Sequence, residues 1–444
     1  MRDLVVVVPG ITGSILRRDD RDLWNLSLSA VGRGLLSFTR TVDSLRLPED
    51  VGTGPAPRGA ALEVGGLIRG WHLWPGISGG PGYRGLLDRL GELAGGAVRP
   101  FGYDWRLSNR HTARLLAAQV ERWLHDWRQE TGDRDAKVIL VCHSMGGLVA
   151  RYYLEVLGGR EHARRLITLG TPYRGSVNAI RALTGDAFGV LRPFGRHTIL
   201  TEVARTLPAL HELLPTYRCV AGTDEPVDLR AAGLTDLTSE MVASGVAFHE
   251  EIAAAVARNG AAPYQMHAFA GKRQATWQSV SVHNGRRQYA RSQRGRDHRG
   301  DGTVPLFSAV PPEWPNTEAA VCHAVRHGGL CAADNVLDLV LDKIEPLELG
   351  DVLAPPCELG LDLPDIVEAG APLSVRVDSD REDLLLYAQL GDPMSGEVVA
   401  QAPMVPDGAG GYDIDLEPDA GTWRVAIEAV AEQPMVRVDD LVTV

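Results

Sequence analysis

The ten residues Val138-Ile-Leu-Val-Cys-His-Ser-Met-Gly-Gly147 constrain this chain more than any others. Val138 to Val141 are an unbroken β-branched and aliphatic run, the pattern of a strand buried on both faces. Gly146 and Gly147 let a helix start almost at once and press close to the strand, and Leu148 to Leu157 continues it. A strand that stops so abruptly and turns straight into a helix leaves Ser144 at the tip, with its hydroxyl above the sheet edge. That is the physical content of the G-x-S-x-G nucleophile elbow. Cys142 stands where that pattern has its first glycine, so the small thiol side chain has to fit a tight site.

A strand-to-helix elbow requires a parallel sheet around it, and the rest of the chain supplies one. Strand signals at Leu4 to Val8, within Ala97 to Tyr103, at Arg164 to Leu169 and at Tyr264 to Ala270 alternate with helical stretches at Tyr83 to Ala94 and Arg110 to Glu130. Such alternation implies α/β architecture with helices on both sheet faces. Residues 23–67 are punctuated by Gly and Pro, and residues 176–259 are largely helical; both are expected to be cap or lid insertions. Ser279 to Tyr289 reads as a hairpin about Asn284-Gly285. The catalytic unit is therefore expected to span residues 1–350. After Pro355-Pro356 the pattern changes to short alternating runs at Leu373 to Val377, Leu384 to Ala388, Thr422 to Ile427 and Val436 to Val438, separated by turn residues. Residues 355–444 are expected to form a small all-β, sandwich-like domain.

A serine nucleophile needs a base, and the base needs an acid to orient it. In the chain order Ser, Asp, His, Gly300-Asp301-Gly302 offers one carboxylate on a tight exposed turn. Only His323 and His327 follow it. Glu318 to Ala324 reads as the last sheet strand, which makes His323 a strand residue and the reserve base. His327 lies just beyond, where a general base is needed, and is the first choice. His143 is expected to point away from the elbow tip and to pack. The oxyanion hole needs two backbone N–H groups; Met145, directly after the nucleophile, and Ile11, in Pro9-Gly10-Ile-Thr-Gly-Ser14 after the first strand, are the expected donors. Cys322, His323, His327 and Cys331 compete as a zinc set, but that reading leaves Ser144 and Asp301 without a role.

Together with Phe101-Gly-Tyr-Asp-Trp-Arg106, Leu169-Gly-Thr-Pro-Tyr-Arg-Gly-Ser176 and Gly300-Asp-Gly-Thr-Val-Pro305, these motifs resemble the lecithin–cholesterol acyltransferase and lysosomal phospholipase family over residues 1–350. The resemblance implies an α/β-hydrolase fold with a cap. It also implies a triad of Ser144, Asp301 and His327, oxyanion donors at Ile11 and Met145, and action on acyl esters of lipids. The expected activity is that of a serine esterase of lipase or phospholipase type, working through an acyl-enzyme and without metal or cofactor. An O-acyltransferase passing the acyl group to an alcohol or sterol is the first alternative. A silent hydrolase fold acting as a scaffold, with the C-terminal domain as its working part, is the second. Trp71, Trp74 and Trp105 are candidates to border the substrate pocket, although Asp104 and Arg106 beside Trp105 read as a buried pair that pins a loop.

The formal net charge of -12 argues against nucleic acid as the main partner. It also offers no general attraction to anionic membranes; transient membrane-surface contact through the cap and a protein partner at the C-terminal domain are separate expectations. No run reaches the ~18 apolar residues of a membrane span, and the chain enters its first strand without a signal-peptide core. With five scattered cysteines, the expected location is the cytoplasm.

Overall fold

The computed structural model describes residues 1–25, 42–48, 51–70, 72–74, 78–188, 197–221, 229, 234, 236–284, 286–345, 357–408, 411–430 and 436–444. Its centre is a six-stranded sheet. The strands are β1 (Leu4–Val8), β2 (Val98–Pro100), β3 (Val138–His143), β4 (Ala163–Leu169), β5 (Gln265–Gly271) and β6 (Val321–His323). They lie in the order β6-β5-β4-β3-β1-β2, and every neighbouring pair is parallel.

Side-chain alternation explains why both faces are covered. In β1, Leu4, Val6 and Val8 enter a core shared with helices α2 (Asn109–Thr131) and α3 (Met145–Glu155). Val5 and Val7 face the other way and meet α1 (Arg84–Ala94) and α8 (Asp334–Ile344). Successive strand residues point to opposite faces, so five consecutive apolar residues are what a doubly covered strand requires. In α2, Leu116, Val120 and Leu124 recur every four residues and are buried, while Leu115 lies on the solvent side at 47% exposure. The Ser108 hydroxyl caps the start of α2 by accepting from the Arg110 N–H, and Gly132 closes it with φ 72°.

The described part of the segment between β4 and β5 includes α4 (Val177–Thr184), α5 (His197–Arg205), α6 (Pro208–His211) and α7 (Ser239–Asn259). Its helical character matches the sequence expectation. The described part of the earlier insertion adds strands Arg21–Trp24 and Glu63–Leu67 to Ser14–Arg18 in a small antiparallel sheet. The expected hairpin is present, with Ser279↔Ala290 and His283↔Arg286 in register; it also pairs in parallel with Val220–Ala221, a strand that periodicity does not reveal. The last sheet strand is three residues rather than seven, because the chain leaves the sheet after His323 and passes into a short 3-10 turn at His327–Cys331.

Beyond the half that holds the six-stranded sheet, two four-stranded antiparallel sheets form the C-terminal unit. Their strands are β7 (Leu359–Asp362), β8 (Leu373–Ser379), β9 (Leu386–Gly391), β10 (Val398–Pro403), β11 (Val405–Pro406), β12 (Gly411–Leu416), β13 (Thr422–Ala429) and β14 (Val436–Thr443). The sheet orders are β7-β8-β12-β11 and β10-β9-β13-β14. Leu373, Val375 and Val377 of β8 point into a core of their own, with Ser374, Arg376 and Asp378 outward. Four expected strands are thus accompanied by four others; β10 escapes an alternation rule because almost all of it is exposed.

Candidate active site

Ser144 occupies a backbone conformation that side-chain-bearing residues avoid, with φ 51° and ψ -126°. The surroundings over-determine it. The Ser144 N–H donates to the Leu169 carbonyl at 2.8 Å, and its own carbonyl accepts from the Gly147 N–H at 3.0 Å and from the Thr171 hydroxyl at 2.9 Å. The following glycines are obligatory. A Cβ on Gly146 would lie 2.4 Å from the Val8 carbonyl oxygen, and one on Gly147 would lie 2.0 Å from Thr171 Oγ1. Cys142, the penultimate residue of β3, is fully buried at the first elbow position, and burial pushes its thiol far above the ordinary range, so it stays protonated.

Hydrogen bonds join the expected acid, base and nucleophile in one line. His327 Nε2 lies 2.8 Å from Ser144 Oγ, and His327 Nδ1 lies 2.7 Å from Asp301 Oδ2. A carboxylate accepts only, so Nδ1 carries the proton and Nε2 is left to accept from the serine hydroxyl. Asp301 is held in turn: its Oδ1 accepts from the N–H groups of Thr303 at 2.9 Å and Val304 at 2.6 Å. The His327 N–H donates to the Asp301 carbonyl at 2.8 Å, tying base loop to acid loop. Ser144, Asp301 and His327 are 6%, 1% and 5% exposed, an environment of low dielectric that strengthens such pairs. His323, the reserve base, makes neither contact; its ring stacks on Phe269, and burial lowers its pKa. With His327 committed to Asp301 and Ser144, the zinc set is not assembled. Among the described residues no three His, Cys, Asp or Glu side chains are arranged to hold a metal ion.

The loops around this line are tied by His143, expected from sequence to pack, together with Tyr83, to which the sequence assigned no role. The Tyr83 hydroxyl accepts from the Gly10 N–H at 2.8 Å and meets His143 Nδ1 at 2.8 Å, while His143 Nε2 lies 3.1 Å from the His327 carbonyl oxygen. Since a carbonyl cannot donate, Nε2 carries the His143 proton and Tyr83 donates to Nδ1. One phenol and one imidazole therefore connect the Gly10 loop, the turn at Ser144 and the loop of His327. Burial holds the Tyr83 phenol well above its ordinary pKa, so it remains a donor. Two further glycines serve by absence of a side chain. Gly170, at φ 62°, would place a Cβ 3.0 Å from both Asp301 Oδ2 and His327 Nδ1, and Gly271 would place one 2.4 Å from the Asp301 Cβ. Glycine directly after a buried strand was the available signal for both, whereas nothing near Tyr83 marks it in sequence.

Ser144 opens onto a small, largely apolar cleft, whose lining includes Ile11, Pro172, Ala179, Leu210, Leu213 and Val304. Ile11 therefore lines the same cleft as Ser144, and Met145 begins the helix that follows Ser144, where backbone N–H groups are unpaired by intrahelical bonds. Trp105 is not at the cleft: it is fully buried, packs edge-on against Trp24 at 5.4 Å, and donates to the Ser14 carbonyl at 3.2 Å. Its neighbours Asp104 and Arg106 form the internal ion pair, 2.6 Å at its shorter contact. Trp71 and the Trp74 side chain lie outside the described residues. No described helix is long and apolar enough to cross a membrane.

Residues 86–252 match the sequence profile described as lecithin:cholesterol acyltransferase. An uncharacterized Saccharomyces cerevisiae protein is 28% identical over 174 residues, which cover 38% of this chain and 23% of the yeast protein. Among solved structures, the mature lipase BlEst2 of Bacillus licheniformis aligns at 14% identity over 77% of this chain and 91% of its own, with a TM-score of 0.33. Phospholipase PlaB of Legionella pneumophila aligns at 13% identity over 84% of this chain and 88% of its own, with a TM-score of 0.20. The chain is thus similar to the lecithin:cholesterol acyltransferase family over the stretch that carries Ser144 and the helices above its cleft.

Proposed function

We propose that this protein is a serine esterase acting on acyl esters of lipids. The observation that carries the reading is the continuous line Asp301–His327–Ser144 ending at an apolar cleft. His327, oriented by Asp301, takes the proton of Ser144 as its oxygen attacks the ester carbonyl. The tetrahedral oxyanion is stabilised by backbone N–H groups of Met145 and Ile11. Collapse expels the alcohol, which receives the proton from His327 and leaves an acyl-enzyme. Water, activated by the same imidazole, then releases the acid. The apolar lining is suited to an acyl chain, and the family match over residues 86–252 supports an acyl-ester hydrolase or acyltransferase.

The test is labelling with a fluorophosphonate probe together with release of fatty acid from dispersed phospholipid and triglyceride. Wild type should label and hydrolyse, and Ser144→Ala should do neither, with turnover lower by about 10⁴-fold or more. Equal labelling of the two proteins would end the assignment. Addition of a long-chain alcohol or sterol to the same assay reads transfer against hydrolysis: persistent ester product in water would make the protein an acyltransferase.

A further inference from the structure

The elements that hold the three reactive groups are unequally supported. Ser144 rises from β3, which has sheet neighbours on both sides. Asp301 and His327 instead belong to loops around the end of β5 and beyond β6, and β6 is a three-residue strand at the sheet edge with one neighbour. Short edge strands with few partners open more readily than central ones. A site that needs its base held to within a fraction of an ångström requires support from elsewhere.

The C-terminal β unit provides contacts at those places. Arg326, the residue before His327, is paired with Asp440 of β14, lies 3.8 Å from Asp365, and donates to the Leu363 carbonyl at 3.4 Å. Its side chain is 16% exposed, so its charge is spent on this domain. Gln274 does the equivalent for the acid. Its backbone forms a parallel bridge with Asp301, and its N–H donates to the Gly300 carbonyl at 3.0 Å. Its buried amide side chain extends the edge of β7: the oxygen accepts from the Leu361 N–H at 2.8 Å and the nitrogen donates to the Leu359 carbonyl at 3.4 Å. The two surfaces are in van der Waals contact, since a Cβ on Gly360 would lie 2.4 Å from the Arg273 carbonyl oxygen.

We propose that the C-terminal β domain is a brace for the acid and base loops, with Arg326 and Gln274 as the positioning residues through which it acts. The proposal rests on the esterase reading for its consequence in turnover. Neither side chain touches the reacting atoms; each fixes a loop whose next residue, or bridged residue, does.

The experiment uses the full-length protein and the variants Arg326→Ala, Arg326→Lys, Gln274→Ala and Asp440→Asn, with Arg376→Ala on the exposed face of the same domain as control. Turnover of a soluble ester is measured per fluorophosphonate-titrated site, alongside the far-downfield proton resonance of His327 Nδ1–H bonded to Asp301. Misplacement of about 1 Å costs on the order of 100-fold in rate. Arg326→Ala and Gln274→Ala are therefore expected to lose roughly 10- to 100-fold in kcat with KM within about twofold, and to broaden or lose the resonance. Arg326→Lys, which keeps the charge opposite Asp440, should recover part of both, and Arg376→Ala should match wild type. An unchanged kcat and an unchanged resonance in both alanine variants would overturn the brace. So would a rise in kcat, which would make the domain a cover that restrains the site. A wild-type protein that shows the resonance yet neither labels nor turns over ester refutes the esterase reading; the resonance in the variants then still decides the brace.

Discussion

Replacing Tyr83 by Phe removes one oxygen atom and leaves the ring in place, which makes the consequence calculable. The phenol is 2% exposed and makes two hydrogen bonds of 2.8 Å, to the Gly10 N–H and to His143 Nδ1. Without it, the buried Gly10 N–H loses its acceptor and half-buried His143 loses the donor to Nδ1. A stranded buried neutral group costs about 1–3 kcal/mol, so loss of the acceptor at Gly10 should destabilise the variant by about that much, a sizeable share of the ~5–15 kcal/mol typical of a domain. The first thermal transition should fall by on the order of 5 °C. A second effect should appear in catalysis. Gly10 precedes Ile11, the expected oxyanion donor, and a loop that loses its anchor no longer presents that N–H in a fixed direction. Loss of a well-aligned oxyanion donor costs about 100- to 1,000-fold, and misalignment should cost a fraction of that, about 10-fold or more in kcat with KM little changed. Differential scanning calorimetry and kcat per labelled site measure the two effects. A transition within 1 °C of wild type and a kcat within twofold would refute the reasoning, because the two bonds would then contribute neither to stability nor to alignment.

Acid sensitivity follows from two cap histidines. Burial lowers His249 and His211 from 6.5 to about 4, so folding favours their neutral forms. Their contribution is fully present above pH 6.5 and is lost as the pH falls toward 4, by about 2 kcal/mol each at pH 5. His249→Gln, which keeps a donor for the Glu212 carbonyl, should recover about 2 kcal/mol of the stability lost between pH 7 and pH 5 in urea titrations; an unchanged loss would show that His249 titrates alike in both states. Gly146→Ala places a methyl 2.4 Å from the Val8 carbonyl oxygen and 2.5 Å from that of Pro9. Both are backbone atoms that cannot swing aside, so destabilisation of about 1–3 kcal/mol and a markedly slower fluorophosphonate reaction are expected, and wild-type labelling kinetics would contradict the close contact. Arg106→Ala leaves the Asp104 carboxylate and the Leu45 and Ala60 carbonyls without the donor they share. The expected cost is about 3–5 kcal/mol with kcat per labelled site nearly unchanged, whereas a selective loss of kcat would move this pair from scaffold to chemistry.

The sequence by itself determined what depends on neighbours along the chain. Four apolar residues, a serine and two glycines specify a strand, a strained turn and a helix, so the elbow was legible from Val138 to Gly147. The candidate partners were legible for the same reason: Asp301 stands between glycines, and chain order leaves only two histidines after it. What sequence left open was the choice between them. In the tertiary structure β6 ends at His323, whose ring turns onto Phe269, and of the two only His327 lies against Asp301 and Ser144. The same limit hid Tyr83 and Gln274, whose partners lie 73 and 87 residues away, respectively. It also put Trp105 in the core, where the sequence allowed a place at the pocket. Periodicity reports which face of an element is buried, but which distant loop will meet that face is fixed only when the sheet order brings the strand ends together.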